Sequence, residues 1–176
     1  MLSSGFPVLD EATGGGWPLG SLVELLSPAS AGLSLLLPSL IRLSRRERWL
    51  AWVNPPWIPN APALAARGMA LAPLLWVKSG GAEGRWAVEQ LLRSGGCPMV
   101  LYWPGRILPA QLRRLQLAAE RGGASAVLFR PLEAAGESST AALRLRLERV
   151  EKGLRVRVLK RRGGWHGAEV VVPCFG

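Results

Sequence analysis

Short apolar runs alternate with helix-like segments between residues 21 and 131, and most of the runs are bounded by glycine or proline. The predicted strands span residues 21–27, 49–53, 74–78, 99–103 and 124–130, and the predicted helices span residues 33–44, 61–67, 83–94 and 109–121. Each helix would return the chain to the starting edge of the sheet, so the alternation predicts parallel strands. We therefore predict an α/β fold with a mostly parallel sheet flanked by helices.

The last third of the chain changes to a two-residue period. Apolar and charged residues alternate on both sides of a turn that we place at Glu151 and Lys152. This pattern predicts a C-terminal antiparallel β-hairpin with one apolar face and one charged face. The predicted register pairs Arg146 with Arg157, Glu148 with Arg155, Leu145 with Val158 and Leu147 with Val156.

A chain of 176 residues is long enough for one domain with a substantial core. We divide residues 1–176 into a glycine-rich opening segment (1–20), an α/β core (21–131), and the basic hairpin with its tail (141–176).

The net charge of +10 is concentrated in the hairpin, where residues 141–162 hold nine basic and two acidic residues. This concentration favours a polyanionic or acidic partner, and arginines directly opposite each other in a sheet indicate a bound anion. The alternative is that these side chains extend into solvent. The candidate residues for binding DNA or a partner are Arg144, Arg146, Arg155, Arg157, Lys160, Arg161 and Arg162 in the hairpin, with Arg113 and Arg114 in the helix 109–121.

The segment after the first predicted strand has the spacing of a phosphate-binding loop, G-x-x-x-x-G-K-[ST]. Ser27 replaces the first glycine, Gly32 and Ser34 are kept, and Leu33 replaces the lysine. Leucine has no charge to reach the β- and γ-phosphates, and the later run 99–103 is not followed by a carboxylate. We therefore expect no nucleotide cofactor and no NTP hydrolysis, although a helix N-terminus at Gly32 still favours an anion weakly.

Other catalytic patterns are absent from the sequence. His166 has no evident partner, Cys97 and Cys174 lack metal-type spacing, and no carboxylate pair suits acid–base chemistry. We expect neither an enzyme nor a metal site. No apolar stretch approaches the roughly 20 residues of a membrane span, and no secretory signal is visible, so we expect a cytoplasmic protein without a membrane partner.

Eight tryptophans are a high count for this length. We expect the four on predicted strands, Trp49, Trp52, Trp76 and Trp103, to pack in the core. We expect the three beside glycine or proline, Trp17, Trp57 and Trp165, to be exposed candidates for an interface. Trp86 and Glu89 share one helix face and are expected to fix that helix to the sheet.

The opening of the chain resembles that of RecA-like proteins, in which such a segment leads into the phosphate loop. The matching residues are SGFPVLD at 4–10, GGGWP at 14–18 and GSLVEL at 20–25. The remainder resembles ImuA, an SOS-linked accessory protein of translesion DNA synthesis, in LLP at 36–38, VNPP at 53–56, WAVEQLLRSG at 86–95, RRLQLAA at 113–119, FRP at 129–131, LRL at 143–145 and LKRRGG at 159–164.

The resemblance implies a RecA-like core and a non-catalytic role in mutagenic DNA synthesis. The implied partners are RecA, the Y-family-like ImuB and an error-prone replicative-type polymerase, with DNA touched by the basic hairpin. The alternative is the related SulA family, SOS-induced cell-division inhibitors that bind the tubulin-like protein FtsZ. The glycine-rich residues 14–20 and the basic hairpin favour ImuA, since SulA-type chains usually lack both. A RecA-like ATPase is a second alternative, which the altered phosphate loop disfavours.

Overall fold

The structure is a computed structural model that describes residues 1–28, 31–46, 48–164 and 166–174. The helices are α1 (Pro7–Thr13), α2 (Leu33–Ser44), α3 (Ala61–Ala66), α4 (Gly81–Ser94) and α5 (Pro109–Gly122), with a 3₁₀ helix at Leu132–Gly136. The strands are β1 (Leu22–Leu26), β2 (Leu50–Val53), β3 (Leu74–Val77), β4 (Met99–Tyr102), β5 (Ser125–Arg130), β6 (Leu143–Val150), β7 (Gly153–Arg161) and β8 (Glu169–Val172).

All eight strands form one sheet in the order β3-β2-β4-β5-β1-β6-β7-β8. The pairs from β3 to β6 are parallel, and the pairs β6–β7 and β7–β8 are antiparallel. The predicted α/β class, with a mostly parallel sheet and a C-terminal hairpin, is confirmed. Helix α1 and strand β8 were not predicted, because each is short and lies among glycines or charged residues.

The hairpin has the register that the alternation predicted. Leu145 pairs with Val158, Arg146 with Arg157, Leu147 with Val156, and Glu148 with Arg155. A bulge follows Arg144, which pairs with Lys160. Strand β6 also pairs with β1, so the hairpin extends the central sheet. Strand β6 therefore has a hydrogen-bonded neighbour at each edge, β1 on one side and β7 on the other.

Two apolar clusters lie on the two sides of the sheet. One joins α1, α2 and α3 to the apolar face of the hairpin, and the other joins α4 and α5 to β1, β2, β4 and β5. Leu25 and Leu22, three residues apart in β1, belong to different clusters because successive strand side chains point to opposite faces. None of the helices in the described ranges is long and apolar enough to cross a membrane.

Candidate functional site

A cleft of about 1350 Å³ lies where β1 and β2 end, between the start of α2, helix α3 and the turn of the hairpin. Ligands of open α/β sheets bind beyond the carboxyl ends of the strands, so this is the place where such a fold forms a binding site. The lining is mostly apolar, with Leu37, Leu64, Leu147 and Leu154 on its walls and Ile58 at its rim.

The start of α2 lies in this cleft and carries the predicted phosphate-loop residues. Gly32 caps the helix with a φ of 118°, and Ser27 Oγ donates a 2.9 Å hydrogen bond to the carbonyl of Ala31. A methyl group of Leu147 occupies the space beside Gly32, 2.5 Å from the position that a Cβ would take. Leu33 packs half-buried against the apolar cluster. Ala29 and Ser30, within the predicted loop, lie outside the described residues.

Aromatic side chains fill the region where β4 and β5 end. Trp103 stacks on Phe129 with ring centroids 4.3 Å apart and an angle of 4° between the planes. Trp57 meets Trp52 and Trp103 edge-on, at 6.2 Å and 5.3 Å. The Nε1 atoms of Trp52 and Trp103 are buried and have no hydrogen-bond acceptor in the described part of the chain. The ends of β4 and β5 therefore carry a packed aromatic cluster.

Among the residues that the structure describes, the charged side chains that line the cleft are Arg67, Arg149, Glu151 and Lys152. Cys174 also lines it, and burial raises the pKa of its thiol, although a hydrogen bond with Ser34 opposes that shift. A thiol held protonated is a poor nucleophile. No group of three or more potential metal ligands occurs within residues 1–28, 31–46, 48–164 and 166–174. The cleft is therefore suited to receiving apolar side chains.

Arg144, one of the predicted surface residues, is buried, and its assignment to the exposed basic face is wrong. Its Nε donates a 2.5 Å hydrogen bond to Glu24, and its Nη2 donates a 2.6 Å hydrogen bond to the carbonyl of Ala134. Arg130 binds the other oxygen of Glu24 at 2.8 Å. The pairing of β6 with β1 turns Arg144 inward, under the 3₁₀ helix, where it neutralises a buried carboxylate.

The three basic residues at the end of β7 also contact the protein itself. Lys160 Nζ donates a 2.7 Å hydrogen bond to the carbonyl of Ser139, and burial, with the charges of Arg144 and Arg162, lowers its pKa. The guanidinium of Arg161 lies against the bare backbone of Gly14. Arg162 is 3.7 Å from Glu120.

The helical candidates Arg113 and Arg114 differ from each other. Arg114 Nε lies 2.6 Å from the buried carboxylate of Glu89, which joins α5 to α4. Arg113 is exposed. In the hairpin, Arg146 and Arg157 are exposed and Arg155 is half-buried, on the side of the sheet opposite the apolar cluster. Only part of the predicted set therefore forms one surface.

The tryptophans are distributed differently from the prediction. Trp52 and Trp103 are buried and Trp57 is exposed, as expected, but Trp17 is fully buried and donates a hydrogen bond to Ser39 Oγ at 3.1 Å.

Trp49 and Trp76 are about half exposed, because Trp49 precedes β2 and Trp76 lies on the edge strand β3. Trp86 is 63% exposed and does not fix α4 to the sheet, and Trp165 lies outside the described residues.

Comparisons with known proteins favour one of the alternatives left open by the sequence. The chain is similar to the cell division inhibitor SulA. It is 36% identical to SulA of Edwardsiella piscicida over 112 residues, which are 62% of this chain and 66% of that protein. It is 31% identical to SulA of Photorhabdus laumondii over 111 residues, covering 62% of this chain and 63% of the relative.

A third relative, SulA of Yersinia pestis, is 31% identical over 99 residues, or 56% of this chain and 59% of the relative. The matches thus span just under two thirds of the length of these SulA proteins. No family model matches the chain. Among solved structures, the RadB recombinase superposes on 96% of this chain and 94% of its own length, with a TM-score of 0.74. At 18% sequence identity, this similarity is one of fold.

These findings correct the main functional prediction. An accessory role in translesion synthesis, bridging RecA and an error-prone polymerase, is wrong, because the curated relatives are named as cell division inhibitors. The comparisons do not support the more specific resemblance to ImuA or the partners RecA, ImuB and the polymerase. The relatives favour the SulA alternative, and RadB supports the RecA-like core.

Proposed function

We propose that this chain is a SulA-type inhibitor of cell division that acts by binding FtsZ and catalyses no reaction. The observation that carries the proposal is the similarity to SulA proteins of three organisms at 31–36% identity. FtsZ is the partner that the SulA resemblance implies.

The geometry of the cleft supports a binding role over an ATPase. Nucleotide binding at a phosphate loop depends on backbone N–H groups that cradle the phosphates and on a lysine that reaches them. Here the methyl group of Leu147 lies against Gly32, and Leu33 packs into the apolar cluster. Both features replace a phosphate environment with hydrocarbon, in which a triphosphate would lose its hydration without compensation.

We further propose that the cleft and its rim receive apolar side chains of FtsZ. Ile58 is 77% exposed and Trp57 is 39% exposed, and both line the cleft. Tryptophan in a partly enclosed apolar site is a frequent anchor of protein interfaces. The aromatic cluster behind Trp57 holds that side chain in place, so little side-chain entropy is lost on binding.

The direct test measures binding of the full chain to FtsZ from the same organism by isothermal titration calorimetry, at low and high salt. Because apolar contacts dominate the cleft, the dissociation constant should change little with salt. The double variant Trp57→Ala/Ile58→Ala should weaken binding by about 30-fold, the effect of losing one interface anchor. The matched control is Val8→Ala/Leu117→Ala, which removes two exposed apolar side chains elsewhere.

A second test is the division phenotype. Overexpression of the chain in its host should produce filamentous cells, and the Trp57→Ala/Ile58→Ala variant should restore normal cell length at equal protein level. Normal division on overexpression, together with no measurable binding to FtsZ, would overturn the proposed function. If the control variant weakens binding as much as the cleft variant does, the interface with FtsZ does not lie at the cleft.

A further inference from the structure

The charged side of the hairpin carries a compact group of side chains that we call the arginine face. It consists of Arg146 and Glu148 on β6, Arg155 and Arg157 on β7, and Glu169 on β8. These side chains lie on the side of the sheet opposite the apolar cluster, which contains Leu145, Leu147, Val156 and Val158. In the described part of the chain, α4 and α5 pack on this side of the sheet only over the core strands.

The charges of the arginine face do not balance. Arg155 is shared between two carboxylates, with Nη1 3.3 Å from Glu148 Oε2 and Nε 3.4 Å from Glu169 Oε1. Arg146 and Arg157 are directly opposite each other across the hairpin. Neither has a carboxylate within 4.0 Å among the residues that the structure describes. Like charges at directly opposed positions destabilise a sheet, and Glu169, directly opposite Arg157 on β8, offsets part of that repulsion, so the excess positive charge centres on Arg146.

The same five side chains surround a hollow of about 220 Å³. At about 30 Å³ per molecule, water in such a hollow amounts to a handful of molecules. A carboxylate entering between two guanidiniums would replace that water with charge-assisted hydrogen bonds, for which the fork of arginine is well shaped.

We propose that the arginine face binds an acidic segment of a partner protein, with a carboxylate held between Arg146 and Arg157. This surface is separate from the cleft, and the proposal does not depend on FtsZ being the partner there. Glu148 and Glu169 divide the positive charge of this face, so it offers one position for a carboxylate between Arg146 and Arg157 and no continuous track of positive charge for a phosphate backbone.

The neighbouring basic residues also argue for a short acidic segment over nucleic acid. Arg144 is buried on Glu24, Lys160 donates to Ser139, and Arg162 lies near Glu120. A nucleic-acid site needs a stripe of free positive charge along the backbone. The internal contacts of these three residues interrupt any stripe that would continue from Arg157 along β7.

The test uses the full chain and two fluorescein-labelled probes, a hexaglutamate peptide and a twelve-residue oligothymidylate, with binding followed by fluorescence anisotropy at 150 mM NaCl. Arg146→Gln/Arg157→Gln should weaken binding of hexaglutamate about tenfold, as expected for loss of two exposed charge contacts. The matched control, Arg46→Gln/Arg106→Gln, also removes two exposed arginines and should change binding less than twofold.

Thermal unfolding of the single variant Arg146→Gln gives an independent readout. This variant removes the repulsion and leaves Arg157 opposite Glu169, so its Tm should equal or exceed that of the parent chain, whereas loss of a merely structural contact would lower the Tm. The proposal is overturned if hexaglutamate does not bind, or if the control weakens it equally. It is also overturned if only oligothymidylate binds and the arginine-face variant abolishes that binding, since the surface would then be a nucleic-acid site.

Discussion

Glu24 and Arg130 form a buried ion pair across neighbouring strands, with Arg130 Nη1 2.8 Å from Glu24 Oε1. Arg144, on the other neighbour of β1, binds Oε2 of the same carboxylate at 2.5 Å. One fully buried carboxylate therefore links β5, β1 and β6, and Arg144 extends the link to the 3₁₀ helix through the carbonyl of Ala134. The hairpin is anchored to the core by this charge as well as by backbone pairing.

Replacement of Glu24 by glutamine should strongly destabilise the fold. It would leave the buried guanidinium of Arg144 without its carboxylate partner, and Arg130 with Glu137 alone, and removing one member of a buried pair costs about 3–5 kcal/mol. Urea unfolding monitored by tryptophan fluorescence measures the loss. The control Glu148→Gln removes the exposed partner of Arg155 and should cost less than about 1 kcal/mol. Equal losses of unfolding free energy from the two substitutions would show that the buried network stabilises the fold no more than an exposed ion pair does.

Gly32→Ala should destabilise the protein by about 2–4 kcal/mol, from overpacking together with a strained backbone. The new Cβ would lie 2.5 Å from Leu147 Cδ1, and the φ of 118° is disfavoured for alanine. Adding Leu147→Ala removes the collision and leaves the backbone strain. The double variant should therefore lose less free energy of unfolding than the sum of the losses in the two single variants. Strictly additive losses, measured by urea unfolding, would argue against contact between the two residues.

The chain should show no saturable binding of magnesium–ATP by isothermal titration calorimetry. Leu33→Lys, which restores the charge of the phosphate-loop pattern, should not create binding, because Leu147 still lies against Gly32. Saturable binding to the parent chain at millimolar ATP or below would revive the ATPase alternative. Binding to the variant alone would mean that the lost lysine, and not the packing, excludes the nucleotide.

The sequence predicted the elements of the sheet better than their order. Alternation located the five core strands, and the two-residue period gave the register of Arg146 with Arg157. The insertion of β6 beside β1 is a pairing between distant residues that local periodicity does not encode, so Arg144 was expected at the surface. Trp76 was expected in the core because a pattern of apolar residues does not distinguish the edge strand β3 from a central strand.

The cleft was predicted only in part. The spacing of Gly32, Leu33 and Ser34 predicted the loop and helix start that line the cleft. The leucine in place of the lysine argued against nucleotide binding. The role of Leu147 was not foreseeable, because it comes from the apolar face of a hairpin more than a hundred residues later in the chain. Such a contact follows from strand order, which only the three-dimensional structure supplies.

Asp10 should make stability depend on acid pH. Burial raises the pKa of its carboxyl, but hydrogen bonds from Ser3 and Ser4 and the charge of Arg42 outweigh burial and lower it overall. The folded pKa is then below the unfolded value of about 3.9, so the stabilisation is complete well above pH 4 and is lost as pH falls through the folded pKa.

Asp10→Asn should therefore lower stability by about 1 kcal/mol at pH 7, for the loss of these hydrogen bonds. The difference in unfolding free energy between Asp10→Asn and the parent chain, measured by urea unfolding, should shrink as the pH is lowered from 5 towards 3. The control is Glu11→Gln, an exposed neighbour in the same helix. A difference between parent and Asp10→Asn that stays constant with pH would exclude the ionised carboxylate as its source.

The central position of β1 affects how the chain folds during synthesis. Its two neighbours are β5 and β6, and Glu24 and Arg130 are 106 residues apart. At ribosomal rates of about 5–20 residues per second, β1 and the leucines of α2 wait roughly 5–20 s for those strands. The nascent chain therefore exposes a long apolar stretch for seconds, and we expect its yield in cells to depend on chaperones that bind such stretches.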